Sequence, residues 1–218
     1  MALIALAGVI FSLSLHRARS TAPAGTPASN APAVQAQVQA GAGFPIPPGH
    51  LAPQFSLIDQ FGRKVALSSL RGHEVVLAFI DSRCTTICPL TSAILSRAHA
   101  QLGPSEGKEV TLLALNANPV ANSVADVYRW SAEHLMLHEW LFLTGSSSQL
   151  EALYHRYAVY VHVEADGTVV HDPAVYIIGA GGHERLYFQT LMSKRASTMT
   201  SETEALVAGM RQCLPRAG

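Results

Sequence analysis

Residues 75–80 read Val-Val-Leu-Ala-Phe-Ile, six apolar positions with no polar alternation. A half-buried strand alternates, so a short unbroken run predicts a strand covered on both faces. Such a strand needs a layer of structure on each side. Residues 110–115 form a second run of the same character, and residues 141–143 a shorter one closed by Gly145.

Helical patterns fall between these runs. Pro89 opens one, with Ile94, Leu95, Ala98 and Leu102 on one side and Gly103-Pro104 as its stop. Residues 123–135 carry Val124, Val127, Tyr128 and Trp130 at helical spacing, residues 147–157 form a helix with a serine cap, and residues 201–213 close the chain as a helix. Ahead of the first buried strand, the alternating residues 54–57 and 65–68 flank Gly62, which predicts a hairpin. Two further hairpins are expected late in the chain. In one, residues 159–163 and 168–170 flank Asp166-Gly167; in the other, residues 175–178 and 186–188 flank the glycine-rich residues 179–182. Strands alternating with helices, followed by hairpins and a final helix, predict an α/β domain with a mixed central sheet flanked by helices and preceded by an N-terminal β-hairpin.

The first fifty residues pose a different problem. Residues 2–15 are nearly all apolar and are followed by His16-Arg17-Ala18-Arg19. Fourteen helical residues span roughly 21 Å, short of a ~30 Å hydrocarbon core, and they have no polar face to offer water. Residues 1–19 are therefore expected to be a signal peptide or a membrane anchor, although the basic pair follows the apolar stretch where an export signal would place it first. Residues 20–50 are rich in Ala, Pro, Gly, Ser and Gln and lack sustained periodicity, which predicts a disordered tether to a folded domain at 51–218. An apolar segment, a loose tether and a folded domain, in that order, suggest a domain held outside a membrane surface. With 15 basic and 15 acidic residues the chain carries no net charge, which argues against a nucleic-acid partner.

Three cysteines are too few for a disulfide framework, and two of them, Cys84 and Cys88, lie in Asp81-Ser82-Arg83-Cys84-Thr85-Thr86-Ile87-Cys88-Pro89, directly after the first buried strand. In open α/β sheets ligands collect at the carboxyl ends of strands, so this junction is where a site is expected. Pro89 places Cys88 at or near a helix N-cap, with Cys84 in the loop before it. The helix terminus and Arg83 both favour thiolate over thiol. Two such thiols suit either a reversible disulfide or a soft metal such as Cu(I), for which an imidazole commonly supplies a third ligand. The remaining reading is a pair of inert buried cysteines. Of the ten histidines, His171 stands out in Val170-His171-Asp172-Pro173, immediately before a buried strand. In a thioredoxin-like arrangement its loop would face the cysteine loop, with Pro173 a candidate cis proline.

Cys84-x3-Cys88-Pro89 with His171 five residues before Tyr176 resembles the SCO/SenC family, the thioredoxin-like copper proteins of cytochrome c oxidase assembly. The segments around Pro53–Gly62, Leu70-Arg71-Gly72 and Leu143-Thr144-Gly145 are similar too, and the resemblance covers roughly residues 51–190. It implies a thioredoxin-like fold and a membrane-tethered, extracytoplasmic metallochaperone in which Cys84, Cys88 and His171 bind copper. Its implied partner is the copper-receiving subunit of the oxidase or another copper chaperone. The chain departs from the family where Asn116-Ala117-Asn118-Pro119 replaces an aspartate-containing motif, and where Asp172 follows the histidine.

The main rival is a thiol–disulfide oxidoreductase on the same fold, with Cys84 and Cys88 as the catalytic redox pair and His171 a bystander. A peroxiredoxin-type peroxidase would carry a proline and a threonine just upstream of Cys84, which Asp81-Ser82-Arg83 lacks. An interaction domain with a vestigial cysteine pair is the third reading. His134 and His138 have helical ligand spacing but no accompanying third donor, and are expected to be structural. His162 is expected to face solvent, Cys213 to be a partly buried apolar residue, and Trp130 and Trp140 to be core aromatics. Asp81 could pair with Arg83 or raise a thiol pKa, and Asp172 could orient the His171 ring.

Overall fold

The computed structural model describes residues 43–193 and 195–214. The apolar segment 1–19, expected to be a signal peptide or anchor, and residues 20–42 of the expected tether lie outside the described residues. Six strands form one mixed sheet: β1 (Phe44–Pro45), β4 (Glu74–Ile80), β5 (Val110–Asn116), β6 (Leu141–Leu143), β9 (Ala174–Ile178) and β10 (Glu184–Gln189), in the order β1-β10-β9-β4-β5-β6. β4, β5 and β6 run parallel, whereas β9 runs antiparallel to β4 and β10 antiparallel to β9. This is the α/β architecture with a mixed sheet that the alternation of runs predicts.

The pleat of β4 shows why its sequence contains no polar alternation. Val76, Ala78 and Ile80 join one core while Val75, Leu77 and Phe79 join the other. The first core is covered by helices α1 (Ile87–Gly107), α2 (Val124–Glu133) and α4 (Ala196–Cys213), which contribute Ile94, Leu95, Trp130 and Leu206. The second lies under α3 (Ser147–Arg156) and the hairpin of β2 (Ser56–Ile58) and β3 (Lys64–Ala66), where the Phe79 ring meets Tyr154, Tyr157 and Tyr176. Gly62 supplies the positive φ of that hairpin turn, as its position predicts. The serine cap expected for α3 is present at Ser146, and Ser123, for which no cap is expected, closes a second reciprocal capping box at the start of α2.

Several boundaries differ from the sequence-based expectation. Phe44 and Pro45, inside the segment read as a tether, pair with Tyr187 and Leu186 at the sheet edge. Pro45 is tolerated there because an edge strand need not donate on both sides. α1 starts at Ile87, with Thr86 at its N-cap, so Cys88 and Pro89 are the second and third helical residues. The missing N–H of Pro89 is one of the four that have no partner inside a helix, which lets the helix begin ahead of it. Gly103, at φ 70°, breaks α1 where a stop is expected, but a further helical turn runs to Gly107. α4 begins at Ala196, five residues before the predicted start. There is no cis peptide bond among the described residues, so the peptide before Pro173 is trans. No helix among them is long and apolar enough to cross a membrane.

Candidate functional site

Sheet register brings the cysteines and the histidine together. β4 ends at Ile80, and antiparallel β9 begins at Ala174, with Ala78 opposite Val175. The loop leaving β4 and the loop entering β9 therefore emerge at the same end of the sheet. β7 (Val161–Val163) and β8 (Val169–His171) form a separate two-stranded sheet whose last residue is His171. The result is an open cleft of about 580 Å³ lined by Arg83, Cys84, Ile87, Val170, His171 and Met192, among others.

The distances define the pairings. Cys88 Sγ lies 3.4 Å from His171 Nε2, and the Cys88 backbone N–H donates to Cys84 Sγ at 3.4 Å. Thr86 makes no side-chain cap bond, so the Cys84 sulfur accepts one of the free N–H groups at the start of α1. The Thr86 hydroxyl lies 3.7 Å from the same sulfur. All three cysteines are free thiols. Among the described residues no three His, Cys, Asp or Glu side chains converge tightly enough to enclose an ion as they stand. The donors approach in pairs, and gripping an ion with all three requires a side-chain adjustment at the half-buried Cys84 or His171.

The two thiols are electrostatically unlike. The Cys88 side chain, followed by the backbone N–H of Cys88, draws the Cys84 thiol down to about 5 despite partial burial. The Cys88 thiol is pushed up, first by its hydrogen bond to Cys84, then by burial and the Cys84 charge. Cys84 is thus the thiolate and Cys88 the protonated partner. The His171 tautomer follows from its other contact. Nδ1 lies 2.8 Å from the Asp172 carbonyl oxygen, and a carbonyl can only accept, so Nδ1 carries the proton and Nε2 presents a lone pair to Cys88. Asp172 therefore orients the ring through its peptide group, while its carboxylate accepts the Tyr160 N–H at 2.9 Å.

A polar frame holds the cysteine loop. The Asp81 carboxylate is 5% exposed and accepts the Arg83 N–H at 2.8 Å and Asn118 Nδ2 at 2.7 Å. Its charge adds to the forces that push the Cys88 thiol up. There is no Asp81–Arg83 ion pair among the described residues. Asn116 Oδ1 accepts the N–H groups of Ser82 and Asn118, and Trp130 Nε1 donates to the Cys84 carbonyl at 2.9 Å. Trp130 is thus a core aromatic that also fixes the loop, and Asn116 at the end of β5 and Asn118 just after it form the loop's socket. The other histidines stay apart. His134 stacks on Trp130 and His138 on Phe61, while His162 is exposed. Cys213 is partly buried against the first core.

A family model described as SCO1/SenC matches residues 45–208. The SCO1 protein homolog of Bacillus subtilis is 30% identical over 132 residues, covering 59% of this chain and 68% of that protein. The mitochondrial SCO2 homolog of Bos taurus is 29% identical over 167 residues, covering 73% of this chain and 61% of that protein. The copper-bound crystal structure of Arabidopsis thaliana ScoI aligns with a TM-score of 0.63 at 23% identity, covering 74% of this chain and 99% of that one. Its likeness establishes the thioredoxin-like fold.

Proposed function

Because the chain belongs to the SCO1/SenC family, we propose that it is a copper-binding metallochaperone that aids assembly of the copper centres of cytochrome c oxidase, with Cys84, Cys88 and His171 as its ligands. The observation that carries this reading is the chain of contacts from Cys84, through the buried Cys88, to the His171 imidazole lone pair, with Cys84 and His171 lining one cleft. Soft thiolates with imidazole match Cu(I), and the same set also holds Cu(II). The protein's part is to keep Cys84 deprotonated, fix the His171 tautomer through the Asp172 carbonyl and brace the loop through Asn118 and Trp130. Binding with all three ligands releases the Cys88 proton, because a metal ligand must be deprotonated. The receiving partner is the copper-accepting oxidase subunit or another copper chaperone. Residues 1–19 serve as a signal peptide or membrane anchor, and the Ala- and Pro-rich stretch that starts at residue 20 and gives way to the edge strand at Phe44–Pro45 serves as a tether for a domain on the outer side of a membrane.

Anaerobic loading of the full chain tests the ligand set. One copper per chain is expected, with affinity reduced by at least ~100-fold in Cys84→Ser, Cys88→Ser and His171→Ala. Unchanged Cu(I) affinity in His171→Ala would exclude the three-ligand site.

The unlike thiols favour one second reading, a thiol–disulfide oxidoreductase. Cys84 attacks a partner's disulfide, releasing one partner thiol and forming a mixed disulfide. Cys88 then displaces the second partner thiol, so two electrons leave the pair and reduce the partner. Rapid cycling of a Cys84–Cys88 disulfide without stoichiometric copper binding would favour it.

A further inference from the structure

The cleft is lined by one soft donor, a thioether, that the thiol–imidazole set does not use. Met192 is 80% exposed and lines the same opening as Cys84 and His171. A methionine in that position contributes almost nothing to packing. The chain holds five methionines, of which Met136 and Met210 are buried in the core and Met199 is half-buried. Among the described residues Met192 is the one fully exposed thioether.

The two residues before it, Thr190 and Leu191, are fastened on three sides. The Thr190 N–H donates to the Pro173 carbonyl at 3.1 Å, which ties the segment to the loop that follows His171. Thr91 Oγ1, on α1 one turn beyond Cys88, bonds Thr190 Oγ1 at 3.0 Å. The Leu191 N–H donates to the buried Glu202 carboxylate at 2.8 Å. The loop after His171, α1 and α4 thus fix the residues just before Met192, while its flexible side chain reaches into water at the cleft.

We propose that Met192 is a transfer donor, a thioether that takes Cu(I) at the cleft mouth as the ion enters or leaves the Cys84–Cys88–His171 site. This rests on the copper reading above. A thioether is a soft, uncharged donor that suits Cu(I) and holds it less tightly than thiolate. The step is ligand exchange at constant oxidation state. One Cu(I)–thioether bond forms as one bond to an incoming or departing donor breaks, no electron moves, and the proton that Cys88 gives up on binding, or regains on release, is exchanged with solvent.

The test uses the full chain with 13C-methyl-labelled methionine, titrated anaerobically with Cu(I). The loaded protein is then mixed with excess bicinchoninate in a stopped-flow instrument. The Met192 methyl resonance should move on titration while those of Met136 and Met210 stay. Met192→Leu keeps the shape and apolar character of the side chain but removes the sulfur. It should still bind one Cu(I) with affinity within about threefold of wild type, yet pass it to the chelator roughly tenfold more slowly. An unmoved Met192 methyl, or a Leu variant that transfers at the wild-type rate, would overturn the assignment; one Cu(I) still bound per chain would then leave the copper reading standing. A wild-type chain that takes up no Cu(I) overturns both.

Discussion

The two ends of strand β4 treat buried polar groups in opposite ways. Where β4 leaves the sheet, the Asp81 carboxylate has two donors, Asn116 and Asn118 fill their bonds, and Cys84 sits among N–H and hydroxyl groups. Where β4 enters, Glu74 is 0% exposed, and neither carboxyl oxygen has a hydrogen-bond partner among the described residues. Burial alone pushes the Glu74 carboxyl up to about 8. Burial, then the nearby Glu74, pushes the Cys213 thiol up to about 11. Cys84 and Cys213 are both half-buried, yet one is an anion at neutral pH and the other is not. Donors, not depth, decide which thiol is reactive.

Breaking the contrast at the Glu74 end should produce the largest change. The unfolded chain ionises this carboxyl near 4.5, whereas the folded chain keeps it neutral up to about pH 8. The stability linked to that proton is therefore full below pH 4.5 and is lost as pH rises toward 8. Glu74→Gln removes the dependence, so the variant should match wild type near pH 4 and exceed it by roughly 2–4 kcal/mol at pH 8. Urea unfolding across that range measures it, and parallel curves for the two proteins would refute it.

The thiols themselves sharpen the comparison. At pH 7 the thiolate fraction of Cys84 exceeds that of Cys213 by about four orders of magnitude, but a low-pKa thiolate is intrinsically less nucleophilic. The net alkylation rate of Cys84 should be roughly ten- to a hundredfold higher. Its rate should stay level down to about pH 6 and fall through pH 5, whereas that of Cys213 climbs through alkaline pH toward 11. Peptide-resolved iodoacetamide kinetics would read both profiles.

The smallest effect comes from loosening the well-paired end. Asn118→Ala takes a donor from Asp81 and an acceptor from the N–H groups of Val120 and Ala121. Part of that loss is recovered by water at the rim, so thermal or urea unfolding should register about 1 kcal/mol. A loss below a few tenths would show that the asparagine socket is dispensable.

What the sequence discloses of this molecule follows from how far each interaction reaches. Residues 75–80 announce a doubly covered strand because both cores draw on consecutive side chains. The serine-capped α3 and the Gly62 hairpin are local and equally legible. So is the pairing of Cys84 with Cys88, and His171 is found by its place before a buried strand. The edge strand at Phe44–Pro45 is not legible, since two residues carry no period and their pairing depends on β10. The Trp130–Cys84 bond spans 46 residues and the Asn118–Asp81 bond 37, so neither leaves a repeat in the sequence. Asp172 shows a subtler limit. Its identity points to a carboxylate contact, but the contact to His171 is made by a carbonyl that any residue there would have.

The separation of Cys88 from His171, 83 positions along the chain, also sets a clock. At ribosomal rates of roughly 5–20 residues per second, the thiols emerge about 4–17 s before the imidazole is made. β9, which seals β4 on that side, follows directly after His171. For those seconds the nascent chain displays a bare cysteine pair, which any oxidant or metal ion nearby can meet before the third donor exists.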